Sequence, residues 1–188
     1  MSHPIQRKDV GLGVELISRH LFQDHRGTFS EIWNSNEFGK VGLDFRPQQF
    51  ALSHSKKGVL RGLHIQAPSQ LKLICLVSGH TFHVGVDLRA GSKTFGQHVC
   101  VELTPRGGEG LLLPKGFAHG FVALEESTIG YLCDEIHQAK TDWSIRWNDP
   151  SLAIDWPIVE PVLSERDSEA LPFKEMCGLL ETKTCGSF

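Results

Sequence analysis

Nineteen glycines and nine prolines punctuate the middle of the chain at short intervals, and this spacing is the strongest constraint on its fold. The segments between them have strand chemistry, at 29–33, 71–77, 81–87, 97–103, 110–113, 120–124 and 130–133. In Thr81-Phe82-His83-Val84-Gly85-Val86-Asp87, Phe82, Val84 and Val86 fall on one face and His83, Gly85 and Asp87 on the other. Long stretches of helical period are absent. Many short strands with regular turn signals predict an all-β sandwich or barrel. Short helical pieces are expected at 34–41, with Asn34 or Ser35 as N-cap, and at 164–171. No internal repeat or low-complexity linker interrupts the pattern. The 188 residues fit one domain, expected over 1–175, and the weakly periodic stretch 176–188 reads as a loose C-terminal tail.

Composition excludes several classes. With 40% hydrophobic and 22% charged residues the chain is neither disordered nor a coiled coil. Nineteen basic against 22 acidic side chains give a formal net charge of −3, no field for general nucleic-acid binding. The opening MSHPIQRKDVGL lacks the apolar core of a signal peptide, and no apolar run has the length of a membrane helix. A cytoplasmic protein with no membrane partner is therefore expected. Cys75, Cys100, Cys133, Cys177 and Cys185 are odd in number and form no CxxC, so buried or incidental thiols are expected rather than a disulfide framework.

The densest chemistry lies in Gly58-Val59-Leu60-Arg61-Gly62-Leu63-His64-Ile65-Gln66, followed by Gln70-Leu71-Lys72-Leu73. If 60–66 is extended, Leu60, Gly62, His64 and Gln66 share a face, and a cavity on that side receives His64 as a general base near neutral pH. Lys72 on a neighbouring strand is placed to stabilise a negative oxygen. A second segment, Leu113-Pro114-Lys115-Gly116-Phe117-Ala118-His119-Gly120-Phe121, sets His119 between two phenylalanines after a turn. Trp147 and Trp156 read as packing residues. Leu163-Ser164-Glu165-Arg166-Asp167 reads, taken alone, as a charged helix cap. Phosphate loops of the GxxxxGK[ST] or GxGxxG type and a GxSxG elbow are absent. No HxH occurs, and His80 and His83, three apart, face opposite sides of a strand.

Taken together these segments resemble the dTDP-4-dehydrorhamnose 3,5-epimerase family of nucleotide-sugar enzymes, over about residues 22–172. The resemblance rests on Phe22-Gln23-Asp24-His25-Arg26-Gly27 with Phe29 and Glu31, Ser53-His54-Ser55, 58–66, Gln70, Lys72, and Val86-Asp87-Leu88-Arg89. It continues through 91–96, 114–121, Tyr131, 146–150, Asp155-Trp156-Pro157 and 163–167. It implies a jelly-roll, cupin-like barrel with short peripheral helices, no metal or cofactor, and a homodimer whose partner residues complete each site. The implied substrate is a nucleotide-linked 4-keto-6-deoxy sugar, deprotonated beside the C4 ketone at C3 and/or C5 and reprotonated from the other face. By motif, His64 is the base, Asp167 its orienting acid, Lys72 the partner of the enolate oxygen and Tyr131 the proton donor. Arg61 and His119 match diphosphate-holding residues, and Arg26, Phe29, Glu31 and Gln49 match nucleotide-side contacts.

The chain departs from that pattern at three places on the ligand side. Gln-Asp-Asn is replaced by Gln49-Phe50-Ala51, removing an amide that helps hold the nucleotide. A cavity-facing acid becomes His83, expected near the catalytic histidine, where the exchange alters the base. A tyrosine becomes His137, close to the sugar or the nucleobase. The acid–base set is retained, so the departures bear on which nucleotide, dTDP, CDP or GDP, and which sugar is taken. Two competing readings are a metal-dependent cupin enzyme, in which His83 and His137 join His64 or His119, and a non-catalytic sugar-nucleotide binding module.

Overall fold

A computed structural model of the chain describes residues 5–105 and 108–183, with side chains through 180. The N-terminal strands are β1 (Gln6–Gly11), β2 (Val14–Ser18), β3 (Phe22–Asp24) and β4 (Gly27–Phe29), followed by helix α1 (Ser35–Lys40). Then come β5 (Gln49–Ser55), β6 (Leu60–Gln66), β7 (Lys72–Ser78), β8 (Thr81–Asp87) and β9 (His98–Leu103). The chain continues through β10 (Glu109–Leu113), β11 (Phe117–Ala123), β12 (Ser127–Cys133) and β13 (Asp142–Ser144), and ends in helices α2 (Glu165–Ser168) and α3 (Phe173–Lys183). Six strands pair in the order β1-β2-β10-β7-β12-β5 and five in the order β13-β6-β11-β8-β9, while β3 and β4 form a separate hairpin. All of these pairings are antiparallel.

The two sheets face each other over a shared interior, the cupin-like jelly roll expected from the sequence. Strand alternation sorts the residues. On β11, Phe117 and Phe121 enter the interior with Val14, Ile74, Leu103, Leu113 and Ile129, whereas Ala118 and Val122 face outward. The outer face of the five-stranded sheet, with Leu60, Leu63, Ile65, Val84 and Val86, is covered by Ile145, Leu152, Trp156, Met176 and Leu180. The outer face of the six-stranded sheet, with Ile17, Leu73 and Leu112, is covered by Phe38 and Phe45. Each such side chain, fully buried, contributes roughly 1.5–3 kcal/mol. The interior is thus apolar at one end, and its other end holds the polar residues described below.

Several expectations hold with small shifts of boundary. β8 spans the predicted 81–87, and α1 is capped by Asn34, whose side chain accepts from the Asn36 and Glu37 amides. Trp156 donates to the Trp147 carbonyl at 2.8 Å and packs against Phe82, so the tryptophans are packing residues. Asp87 is likewise structural. It receives the Arg89 guanidinium and the Ser92 and Thr94 hydroxyls at 2.6–2.9 Å and pins the loop after β8.

Three expectations are corrected. Residues 30–33, read as strand, have no regular structure: β4 ends at Phe29, and among the described residues it pairs only with β3. The stretch 176–188, read as a loose tail, begins inside α3. Met176 and Leu180, four apart on one helix face, are buried against the five-stranded sheet; residues 184–188 lie outside the described residues. Leu60 does not share a face with His64, for the reason given below. Among the described residues no helix is long and apolar enough to cross a membrane.

Candidate active site

The polar end of the interior is built around an irregularity in β6. Against β11, His119 pairs with His64 and Phe121 with Arg61, so two residues of β6, Gly62 and Leu63, stand opposite one of β11, Gly120. Gly62 occupies the bulge with φ +122°, and a Cβ there would lie 2.5 Å from the Gly120 Cα and 2.8 Å from the His119 oxygen. Only glycine fits. The bulge resets the alternation. Leu60, Leu63 and Ile65 face the outer layer, while Arg61 and His64, opposite Phe121 and His119, face the cavity.

His64 Nε2 lies 2.6 Å from Asp167 Oδ1, and Asp167 is only 3% exposed. Asp167 is delivered by α2, whose N-cap Ser164 accepts the Asp167 amide at 3.1 Å. Burial pushes the Asp167 carboxyl up. The hydrogen bond and charge of His64, with the Ser164 hydroxyl and the Gly62 amide, outweigh it and hold Asp167 below its ordinary value. An imidazole gripped at one nitrogen by a buried carboxylate is oriented to take up a proton at the other.

The opposite wall belongs to the six-stranded sheet. Lys72 on β7 and Tyr131 on β12 share the inward faces of Ile74 and Ile129. Burial lowers the Lys72 ammonium, and Cys133 and Asp142 act against that shift. Tyr131 hydrogen-bonds Ser53 at 3.1 Å, and burial pushes its phenol up to about 12, so it is neutral at pH 7 and carries a proton to give. Arg61 donates to the Ser55 hydroxyl at 3.1 Å and the His54 carbonyl at 3.3 Å, beside Tyr131.

His119 and His83 complete the interior. Their rings stack 5.4 Å apart, His83 Nδ1 lies 3.1 Å from His119 Nε2, and His83 Nε2 lies 2.8 Å from Thr81 Oγ1. His83 therefore bonds His119 rather than His64. At the rim, the His137 amide donates to Gln49 Oε1 at 2.6 Å, and its ring Nδ1 lies 3.2 Å from Gln66 Oε1. On β5 Ala51 lies on the face of Gln49 and Ser53, so the lost amide is on the cavity side. Phe50, 61% exposed, is on the other face. Among the described residues no group of three or more His, Cys, Asp or Glu side chains is gathered to hold a metal.

The structure thus brings together His64, Asp167, Lys72, Tyr131, Arg61, His119 and His83, with Gln49 and His137 at the rim. It does not bring in Arg26, Phe29 and Glu31. Arg26 pairs with Asp24 on the β3–β4 hairpin, Phe29 is 67% exposed there, and Glu31 accepts from Asn34. Sequence reasoning missed Gln66 and Thr81 as supporting residues, and named Ser53 and Ser55 without a role. A hydroxyl or amide whose partner is supplied by folding leaves no local signal.

A jelly roll with a histidine–carboxylate pair on one wall and a lysine and a neutral phenol on the other defines an isomerase of the proton-transferring class. A family model described as dTDP-4-dehydrorhamnose 3,5-epimerase matches residues 12–175. The dTDP-4-dehydrorhamnose 3,5-epimerase of Methanothermobacter thermautotrophicus is 39% identical over 168 residues, 87% of this chain and 91% of the relative. The dTDP-6-deoxy-D-glucose-3,5-epimerase of Legionella pneumophila, solved with dTDP-4-keto-L-rhamnose, superposes with a TM-score of 0.87 at 36% identity, covering 95% of this chain and 96% of that one. A 3'-monoepimerase from Streptomyces bikiniensis, solved with dTDP-quinovose, gives 0.81 at 30% identity, covering 99% and 91%. The chain belongs to the dTDP-4-dehydrorhamnose 3,5-epimerase family.

Proposed function

We propose that the protein epimerises a dTDP-linked 4-keto-6-deoxy sugar at C3 and C5. The observation that carries this reading is the placement of the 2.6 Å His64–Asp167 pair and of Tyr131 on facing sheets of one cavity, with Lys72 on β7, the strand that pairs with the Tyr131 strand. The C4 ketone acidifies the neighbouring C–H bonds. His64 takes a proton from C5 or C3, and the electron pair moves into the enolate with its charge on O4. Lys72 stabilises that oxygen, an electrostatic contribution of about 3–4 kcal/mol for one well-placed donor. Tyr131 then gives its phenolic proton to the carbon from the opposite wall, which inverts the centre. Arg61 and His119 hold the diphosphate, and Gln49, His83 and His137 shape the ligand side.

A second copy of the chain completes the site. Among the described residues the β3–β4 hairpin belongs to neither main sheet, β5 is a sheet edge with Phe50 and Leu52 about 60% exposed, and Arg26 and Phe29 are exposed on the hairpin. This reading gives Arg26, Phe29 and Glu31 to the partner's nucleotide. The working unit is a single barrel domain, and its place is the cytoplasm, where nucleotide sugars are made.

The test is incubation in D₂O with 4-keto-6-deoxyglucose carried on dTDP, CDP or GDP, following label by NMR and mass spectrometry. Deuterium at C3 and C5 of the dTDP sugar is the expected result. Label at one carbon would make the enzyme a monoepimerase, preference for CDP or GDP would reassign the nucleotide, and no label on any substrate would overturn the reading.

A further inference from the structure

The acid–base chemistry above leaves one buried group unused, the chain Thr81–His83–His119. All three side chains are buried, Thr81 and His83 completely. The hydrogens of this chain can be counted. The only hydrogen-bond partner of the Thr81 hydroxyl among the described residues is His83 Nε2, at 2.8 Å. If His83 Nε2 carried the hydrogen, the Thr81 O–H would point into the core with no acceptor, which buried donors rarely do. With the Thr81 O–H donating instead, the hydrogens of both Thr81 and His83 are used. His83 then carries its hydrogen on Nδ1 and donates it to His119 Nε2 at 3.1 Å. His119 Nε2 is an acceptor, so its own hydrogen sits on Nδ1, which has no protein partner among the described residues.

A doubly protonated His119 is disfavoured by what surrounds it. His83 faces it from β8, His64 from β6, Lys72 from β7 and Tyr131 from β12, and none of these is a carboxylate. Phe121 packs beside both rings.

We infer that Thr81 and His83 are positioning residues that hold His119 as its neutral Nδ1–H tautomer, so that His119 meets an acceptor oxygen of the substrate as an uncharged donor. The substrate half of this rests on the epimerase reading. Recognition of the diphosphate's charge then falls to Arg61, and the His119 contact supplies direction.

The first test needs no substrate. In enzyme carrying ¹⁵N-histidine, long-range ¹H–¹⁵N spectra, with His119 assigned by its loss in His119→Asn, are expected to show the neutral Nδ1–H pattern unchanged from about pH 5 to 8. An Nε2–H pattern, or titration within that range, would overturn the inference whatever the enzyme's substrate. The second test uses His83→Phe, which keeps a stacked ring and removes the relay. KM for the nucleotide sugar is expected to rise about tenfold with little change in kcat. His83→Asn, whose amide N–H can stand where Nδ1–H stood, is expected to recover most of that loss. An altered His119 tautomer with unchanged KM would overturn the substrate contact alone, since deuterium exchange at the sugar reports the epimerase reading separately.

Discussion

His64 differs from the two buried imidazoles beside it in what holds it. It is gripped by a carboxylate, whereas His119 and His83 hold each other. Replacing His64 by Ala is expected to abolish deuterium exchange at C3 and C5 while the nucleotide sugar still binds, read by NMR and calorimetry; exchange at the wild-type rate would remove the base assignment. Tyr131→Phe is expected to slow epimerisation at least tenfold more than exchange, because deprotonation precedes the step that needs the phenol. The buried histidines make a further prediction about pH. Burial lowers His83 to about 3, and burial together with His83, Lys72 and His64 lowers His119 well below its ordinary value. The unfolded chain takes up these protons below about pH 6.5 and the folded one refuses them, so stability decreases as pH falls below that point, for His83 until about pH 3 and in the same direction for His119. A melting temperature that drops between about pH 6.5 and 4.5, before most carboxylates titrate, is the expected result; a flat profile would mean that the pair is charged in the folded state. At this scale the sequence was informative where a residue type carries the chemistry itself, as with His64, Lys72 and Tyr131. It was silent on Thr81 and Gln66, whose importance arises only once β8 and β11, or β6 and the rim, are side by side.

Among the elements, β6 repays closest reading. Strict alternation puts Leu60 with His64, yet the observed bulge replaces Leu60 by Arg61 on the cavity face. The clue lay in Gly62, whose glycine is required by both its φ and the approach of Gly120. A period-two reading has no means of placing an extra residue. Gly62→Ala is expected to cost about 2 kcal/mol or more and to lower turnover, because the same shift moves Arg61 and His64 together. Urea unfolding and the exchange assay measure the two effects, and full stability with full activity would contradict the role given to the bulge. Helix α3 was overlooked for another reason. Phe173, Met176 and Leu180 carry the right spacing, but Gly178 and a run of polar residues thin the pattern over its 11 residues. Its buried face is set by the sheet it covers.

For the whole molecule, the segments themselves foretold a barrel, but the strand order did not follow from them. β5 lies beside β12 and β2 beside β10, pairings between segments more than 70 residues apart. Such pairings are fixed by which faces must be buried together, information spread over the entire chain. The reading of Arg26, Phe29 and Glu31 as site residues makes sense only for two copies. Mixing inactive His64→Ala protein with Arg26→Ala protein under exchange of subunits is therefore expected to restore turnover, because a mixed dimer contains one intact site. Absence of recovery, or a monomeric mass in solution, would remove the partner's contribution.

The base and the phenol ride on different sheets, and this has a stereochemical consequence. In the proposed mechanism a carbanion between them partitions between internal return, in which His64 restores the proton it took, and capture by Tyr131 from the far side. That ratio depends on the width of the gap between the sheets, and the apolar cluster of Leu113, Phe117 and Phe121, against which Tyr131 packs, is drawn from both of them. The commitment of the intermediate to one configuration is thus written in the hydrocarbon floor of the barrel as much as in the groups that move the protons.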